Sequence, residues 1–522
     1  VATQRAAGVG QPGPRAWWRE GRMITVGISG GIRSGTAAMA EGGRLVGVCS
    51  QERVTRVRGA GVNANGVPDE AIDLLLQRLG RTREHIGRYV SVDGHPAGWA
   101  GKAVERVDHH LAHACTAYLT SPFTTAAIVV CDHEAPAISV WRGVGAAIES
   151  IDWPWQGPGF ADVYSRTASA FGFRVAAADQ RLEALARLRP VSRDAEIDGL
   201  VGLDADGLIV DEGFERHIAD RLSGDRDPGS PMRAALASAV QARLGELLIE
   251  FLGRVRNRLG IRDLCVGGNL FYHSSINTLV KQCGLFDQVF VPVDPGNSGL
   301  AVGAVLHAVG TGPVAVSPFL GPAYSANETK ELLDNCKLQY SWESAEGAVA
   351  QTVAALREGR LVGWYDGLME WGPRALGARC ILASPMSPYV LENLNHFLKR
   401  REPWRGYALS GLQDAVAEHF EGPDKSPFME CDYRPRDVAR FRPVLPSAEA
   451  AVRVQAVSAG DGPPLFRRVL EAFGEATGLP FLVNTSFNGF HEPIVCSPRD
   501  AVRVFYGSGL DVLMIDQFMV RK

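Results

Sequence analysis

Residues 24–31 read Ile-Thr-Val-Gly-Ile-Ser-Gly-Gly, an apolar run with β-branched residues that breaks on two glycines. Such a run predicts a buried strand that delivers the chain into a tight turn. The pattern returns at Leu264–Gly268, and an apolar strand near Ala126–Cys131 ends on Asp132. A second strand is expected near Leu45–Gln51, and others near Tyr89–Asp93 and Ile138–Arg142. Pro68 suits the first turn of a helix whose Ile72, Leu75, Leu76 and Leu79 recur at i, i+3, i+4 and i+7 before Gly80. From about 165 to 260, Ala, Leu and Arg dominate with helical period, and Met232–Leu259 predicts one or two long helices. Leu300–Val309 reads as a helix packed closely through Ala301, Gly303 and Ala304. Residues 311–345 read as a connector, after which helix 346–358 and strand Leu361–Tyr365 open a new pattern that ends near Phe481–Asn484 and Val512–Ile515. Interleaved strands and helices point to an α/β fold, and 522 residues exceed one ordinary core.

Apolar residues make up 46% of the chain and charged ones 21%, as in a globular protein. A net charge of −4 leaves no electrostatic footprint for nucleic acid or an anionic membrane, so any basic site must be local. Nine scattered cysteines without a Cys-x-x-Cys pair argue against disulfides and a cysteine zinc site, with a cytoplasmic, reducing location as the default. No apolar run reaches the length of a membrane span. Residues 1–22, rich in Gly, Pro and Arg without a hydrophobic signal core, are expected to be a disordered leader.

Three constellations carry chemistry. The first is Asp108-His109-His110-Leu111-Ala112-His113. On a helix His109 and His113 share a face and can share a metal ion, whereas His110 is rotated away. A zincin needs Glu after the first histidine, so a metalloprotease is excluded. Asp132 is placed to add an oxygen ligand; a histidine-rich helix start without metal is the plain alternative. The second constellation is three glycine turns: Gly27–Gly31, the stretch after Asp132, and Gly267-Gly268-Asn269. Backbone amides there can approach phosphate, although no Walker loop or Gly-x-Gly-x-x-Gly fingerprint is present. The third lies toward the C-terminus: Glu370–Arg379, then Lys399, Arg401 and Arg405 around Glu402-Pro403, then Asn484-Thr485-Ser486-Phe487-Asn488. Cations beside Gly/Pro turns can clamp phosphate, and Ser486 and Asn488 alternate on an extended segment. Trp153, Trp155, Phe160 and Tyr164 could stack on an acceptor, within a 140–235 region that shapes its pocket, or could be core.

Together these segments resemble the carbamoyltransferase family of nodulation-factor O-carbamoyltransferase and tobramycin carbamoyltransferase, from Met23 onward. The His-His-Leu-x-His-Ala, Gly-Pro-Arg-Ala-Leu-Gly and Asn-Thr-Ser-Phe-Asn runs stand in order at 109–114, 372–377 and 484–488. The resemblance implies an actin/hexokinase-like (ASKHA) domain over 23–320 with a helical insertion, a linker over 321–345, and a YrdC-like α/β domain over 346–522. It implies ATP and carbamoyl phosphate as substrates, carbamoyl-adenylate as intermediate, and a hydroxyl of a small natural product as acceptor, in antibiotic biosynthesis or tailoring. His109, Lys399, Arg401 and Ser486 would be catalytic. Arg374, Arg379, Arg405, Asn484 and Asn488 would bind carbamoyl phosphate or the adenylate, and Gly30, Gly31, Gly267, Gly268 and Asn269 the nucleotide. A divalent metal (Fe2+, Mg2+ or Mn2+) would sit on His109, His113, Asp132 and Asn297.

The chain departs from the family at three places. Arg33-Ser34 stands where a His-Asp pair is usual, and Asp132-His133 replaces Asp-Gly. Asn297 takes the place of the last metal-ligating Asp, with Asp294 three residues upstream. Two rival readings are a tRNA threonylcarbamoyl-type enzyme and a nucleotide sensor that has lost transfer. No nucleic acid or membrane partner is expected; a homodimer is one possible assembly.

Overall fold

β1 (Ile24–Ser29) forms where the 24–31 run predicts it, with Ile24, Val26 and Ile28 buried. The computed structural model describes residues 23–92, 98–99, 102–173, 177–460 and 462–522. The expected leader at 1–22 and Asp93, the expected end of a strand, lie outside the described residues. β1 pairs antiparallel with β2 (Thr36–Glu41), which pairs with β3 (Arg44–Ser50). On its other side β1 runs parallel to β4 (Ile86–Val92), and β5 (Gly98–Trp99) and β6 (Lys102–Val107) complete the order β3-β2-β1-β4-β6-β5. β2, β5 and β6 are strands of this sheet that sequence reading misses, and β2 shows why. Its Thr-Ala-Ala-Met-Ala-Glu has little intrinsic strand preference, and burial between its neighbours decides it.

β7 (Thr125–Cys131), β8 (Ile138–Val144) and β9 (Ala147–Ile151) form a second meander. After a hairpin of β10 (Val201–Leu203) and β11 (Leu208–Val210), β12 (Asp263–Gly267) returns parallel to β7, with β13 (Gln288–Phe290) at the edge. Each sheet is thus an antiparallel meander whose first strand also takes a parallel neighbour. Between the sheets lie helices His109–Leu119 and Leu300–Val309, packed on one another. They approach so closely that a Cβ on Gly303 would stand 2.0 Å from the Ala112 carbonyl oxygen. Outside the second sheet sits the helical insertion, crossed by one helix, Pro231–Leu259, which begins on a Ser230 cap and ends on Gly260. This is the actin/hexokinase-like α/β architecture that the resemblance implies.

The C-terminal part is a second α/β unit on a mixed sheet. Its strands are β14 (Tyr340–Trp342), β15 (Val362–Tyr365), β16 (Arg379–Ala383), β17 (Ala408–Leu412), β18 (Phe420–Glu421), β19 (Asp432–Pro435), β20 (Val452–Val457), β21 (Phe481–Ser486), β22 (Val512–Ile515) and β23 (Phe518–Arg521). Among the described residues they run in the order β14-β23-β22-β15-β16-β21-β17-β20-β19-β18. Alternation along β15 feeds both faces: Val362 and Trp364 enter one apolar layer, Leu361 and Tyr365 the other. The stretch 321–345, read as a linker, is built into this unit. It holds a helix, Ala326–Asn335, with a Ser325–Glu328 capping box, and β14 pairs with β23. Gly, Pro and Ser are frequent only in its approach, at 311–325, and that local signal concealed the edge strand. Among the described residues no helix is long and apolar enough to cross a membrane.

Candidate functional site

Three strands of the N-terminal unit deliver their C-terminal ends to one place. β7 ends at Asp132, β12 at the Gly267–Asn269 turn, and β1 at Ser29, whose hydroxyl donates to the Asn297 carbonyl at 3.2 Å. Opposite them stands the N-terminus of helix His109–Leu119, capped by the Asp108 carboxylate on the Leu111 N–H. His109 Nε2 and His113 Nε2 lie 2.8 and 3.2 Å from the same oxygen of Asp132, Oδ2. One ligand atom from each of the three residues falls within 4.8 Å of the others. Burial alone would push the Asp132 pKa up, but hydrogen bonds from both histidines and from the Asn269 N–H hold it well below the usual carboxylate range. A fixed carboxylate beside two imidazole nitrogens is a donor set that fits a divalent cation.

His110 is turned aside as its helix position requires, with Nδ1 2.7 Å from Ser139 Oγ and Nε2 3.1 Å from the Glu134 carbonyl. Asp294 stands outside the cluster: its Oδ1 accepts from Tyr272 OH at 2.6 Å and from the Gly296 N–H at 3.0 Å. Asn297 reaches the cluster through Asn269, whose amide donates to Asn297 Oδ1 at 3.4 Å and whose backbone N–H donates to Asp132 Oδ1 at 3.1 Å. The Gly268 turn needs glycine, because at φ +95° a Cβ would lie 2.1 Å from the Cys131 carbonyl. Gly267 packs against His113, Gly30 turns at φ +92°, and Gly31 faces open space.

A cavity of about 760 Å³ opens between the two units. Its walls include Ser34, Arg53, Arg58, Arg181 and Tyr272 from the N-terminal unit, and Arg374, Lys399, Arg401, Arg405, Arg453, Asn484, Ser486 and Asn488 from the C-terminal one. Nine Lys or Arg face it against three Glu, in a chain whose net charge is −4. The basic site is local, as composition demanded, and its excess of positive charge favours anionic ligands. Lys399 Nζ donates to the Ser486 carbonyl at 2.6 Å and to Asn488 Oδ1 at 2.5 Å, and Ser486 Oγ joins Asn488 Oδ1 at 2.9 Å. Burial, and then the charge of Arg401, lower the Lys399 pKa well below the ordinary lysine value. Arg401 is held by Asn395 and lies 3.9 Å over the Tyr407 ring, while burial and then Arg401 bring Arg405 down to about 10. Arg374 donates to the Tyr272 carbonyl at 2.9 Å. Tyr272 therefore touches both the cavity and, through Asp294, the turn beside the histidine cluster.

Arg379 is the expected site residue that the structure removes. It is fully buried, lies 3.4 Å over the Tyr365 ring, and donates to the carbonyls of Asp366, Ala378, Pro322 and Gly367. It braces the sheet and does not line the cavity. Trp153, Trp155, Phe160 and Tyr164 pack into the core around Phe251 and the insertion, so the core alternative holds. Arg453, Arg181 and Arg58, which do line the cavity, carried no motif signal in an arginine-rich sequence. Arg56 carried none either. It bridges the units by donating to the carbonyls of Ile494 and Pro493 at 2.5 and 2.8 Å, next to the Asn488 loop.

Two family models match, described as carbamoyltransferase N-terminus over residues 97–306 and carbamoyltransferase C-terminus over 353–522. The chain belongs to the carbamoyltransferase family. It is an enzyme of the transferase class. Nodulation protein NolO of Bradyrhizobium diazoefficiens is 31% identical over 59% of this chain and 58% of its own length. Nodulation protein NolNO of Sinorhizobium fredii is 25% identical over 96% of this chain and 83% of its own. An uncharacterized protein of Synechocystis is 28% identical over 80% and 76%. Among solved structures, the full-length HypF in a phosphate- and nucleotide-bound form aligns over 55% of this chain and 46% of its own, at 12% identity and a TM-score of 0.38.

Proposed function

We propose that this carbamoyltransferase makes carbamoyl-adenylate in the cavity between its units and passes the carbamoyl group to a hydroxyl of a small natural product. The observation that carries the reading is Lys399 on Ser486 and Asn488 at the wall of a cavity with nine cationic side chains against three acidic ones. ATP and carbamoyl phosphate are both polyanions, and alignment with charge neutralisation is most of what phosphoryl chemistry asks of a protein. Carbamoyl phosphate yields its phosphate to water and leaves carbamate. A carbamate oxygen then bonds to the α-phosphorus of ATP, and pyrophosphate leaves with the electron pair of the broken P–O bond. Lys399, Arg401, Arg405, Arg374 and Arg453 hold the phosphates; Ser486 and Asn488 orient the small acyl group.

In the second step the acceptor oxygen attacks the carbamoyl carbon, its proton passes to a base, and AMP leaves. His109, His113 and Asp132 would hold a divalent cation, with Asn297 nearby; when bound, it supplies charge stabilisation for the departing phosphate. The Gly30–Gly31 and Gly267–Asn269 turns present backbone amides at the same strand ends, where a nucleotide phosphate fits. The division of labour is therefore adenylate synthesis on 346–522 and transfer on 23–320.

Incubation with ATP and carbamoyl phosphate, followed by mass spectrometry and a pyrophosphate assay, tests both steps. Wild type is expected to form carbamoyl-adenylate and pyrophosphate, and Lys399→Ala to lose at least about 100-fold of that rate. His109→Ala is expected to keep adenylate synthesis and lose transfer. Adenylate formed equally well by Lys399→Ala would overturn the site, and transfer retained by His109→Ala would overturn the metal role.

A further inference from the structure

Loops of both units meet where the cavity opens. Ser34 and Arg58 line it from the N-terminal unit, Phe490 and His491 from the C-terminal one. Arg58 Nη1 lies 3.3 Å from His491 Nδ1, and the rings of Phe490 and His491 stand 4.0 Å apart. Phe490 is 46% exposed, an aromatic ring left open on the wall of a polar cavity. The loops that carry Ser34 and Arg58 are tied together, with Arg33 paired to Ala60 and the Val62 N–H on the Gly31 carbonyl at 2.8 Å. They leave two more apolar side chains in water, Ile32 and Val57. A ligand ring laid over Phe490 would bury apolar surface that the fold leaves wet.

The charge here is one-sided. Of the three glutamates in the wall, Glu52 accepts the Gly59 N–H at 2.8 Å and lies 3.8 Å from Arg53. Glu402 is 3.0 Å from Arg181, and Glu492 is 3.1 Å from Arg503. Each is thus matched by an arginine, and the oxygens of Glu402 and Glu492 that accept no hydrogen bond are enclosed. Among the described residues of the wall no carboxylate is open to receive an ammonium group, whereas Arg33 and Arg58 stand exposed.

We propose that the acceptor enters at this opening and is a neutral or acidic hydroxyl compound bearing a flat apolar ring, which lies on Phe490, and that polycationic amino sugars are rejected by charge. The inference rests on the reading of carbamoyl transfer to a small hydroxyl compound and adds the class of that compound. Stacking on Phe490 adds to the burial of the ring. Each ammonium group brought to a wall of nine cations and three paired glutamates meets repulsion without a compensating partner. Trp153, Trp155, Phe160 and Tyr164 cannot supply the platform, because they belong to the core.

The full-length enzyme is given ATP and carbamoyl phosphate with phenyl β-glucopyranoside, methyl β-glucopyranoside or tobramycin as probe. Carbamoylated probe is measured by mass spectrometry, and pyrophosphate in parallel. Wild type is expected to use the phenyl glucoside with kcat/KM roughly 10-fold above the methyl glucoside, and tobramycin at least about 10-fold below it. Phe490→Ala should bring the two glucosides level. Arg58→Glu, at an exposed position, should raise tobramycin several-fold relative to the methyl glucoside, and it decides the matter if Phe490→Ala does not fold. Tobramycin used as well as the phenyl glucoside would overturn the proposal, as would pyrophosphate release without carbamoylation of the phenyl glucoside. A Phe490→Ala variant that keeps the phenyl preference but shows a raised KM for ATP would place adenine on the ring and overturn it too. The expected ratios without pyrophosphate would instead overturn the adenylate reading and still support the acceptor class. Neither product nor pyrophosphate would overturn both.

Discussion

Asp366, just beyond β15, shows how much a single buried side chain can hold. Its Oδ2 accepts the Leu465 N–H at 3.0 Å, and burial followed by the charge of Asp516 raises its pKa to about 7. The folded protein therefore keeps a proton that the unfolded chain releases near pH 4, and stability falls as pH rises from about 4 to 7. Asp366→Asn keeps an acceptor for Leu465 and removes the charge. It is expected to raise Tm at pH 8 by the equivalent of roughly 1–4 kcal/mol and to change it little at pH 4. Equal shifts at both values in thermal scans would assign the effect to packing. At this scale Lys399, Ser486 and Asn488 were legible because seven lysines against 47 arginines make a lysine inside a motif conspicuous. Arg374 and Arg379 looked alike, standing five residues apart beside the same Gly-Pro turn. Burial alone separates the one at the cavity from the one under the sheet, and no residue type encodes it.

Elements were legible where period and punctuation agreed. Helix Leu300–Val309 was expected to pack through small residues, and the expectation has a measurable consequence at Gly303. A Cβ there would meet the Ala112 carbonyl at 2.0 Å and Thr116 Oγ1 at 2.5 Å, so the two helices between the sheets would have to separate. Gly303→Ala is expected to cost about 2–3 kcal/mol by overpacking. Gly199, in helix Ala195–Leu200, has nothing within 4 Å of its Cβ position. Gly199→Ala should leave stability unchanged or raise it by up to about 1 kcal/mol. Chemical denaturation of the pair checks this, and a stable Gly303→Ala variant would mean that the helices have slack. β2 and β14 escaped sequence reading for the opposite reason: an alanine-rich or three-residue strand is made by the strands beside it.

Across the whole molecule the two units are joined by buried charge as well as by the cavity. Asp432, at the start of β19, accepts from Arg187 Nε at 2.7 Å and from the hydroxyls of Ser274 and Ser275, all on the N-terminal unit. Glu183 pairs with the same guanidinium, and Lys281 reaches Glu430 at 2.8 Å. Removing one member of such a network leaves a buried charge unpaired. Asp432→Ala is expected to cost about 3–5 kcal/mol and to split one unfolding transition into two. A single unshifted transition in calorimetry would show that the network does not couple the units. The sequence alone determined what short windows of chain encode: the strand that breaks on Gly30-Gly31, the His109/His113 helix face, the α/β class and the order of three motifs. Only the tertiary structure decided that Asn484 Nδ2 lies 3.5 Å from Gln455 Oε1, that Arg56 clasps a loop 437 residues away, and that a chain of net negative charge encloses a cationic cavity. Periodicity and turn chemistry act over a few residues, whereas burial and charge convergence arise only when distant segments pack and water is excluded from between them.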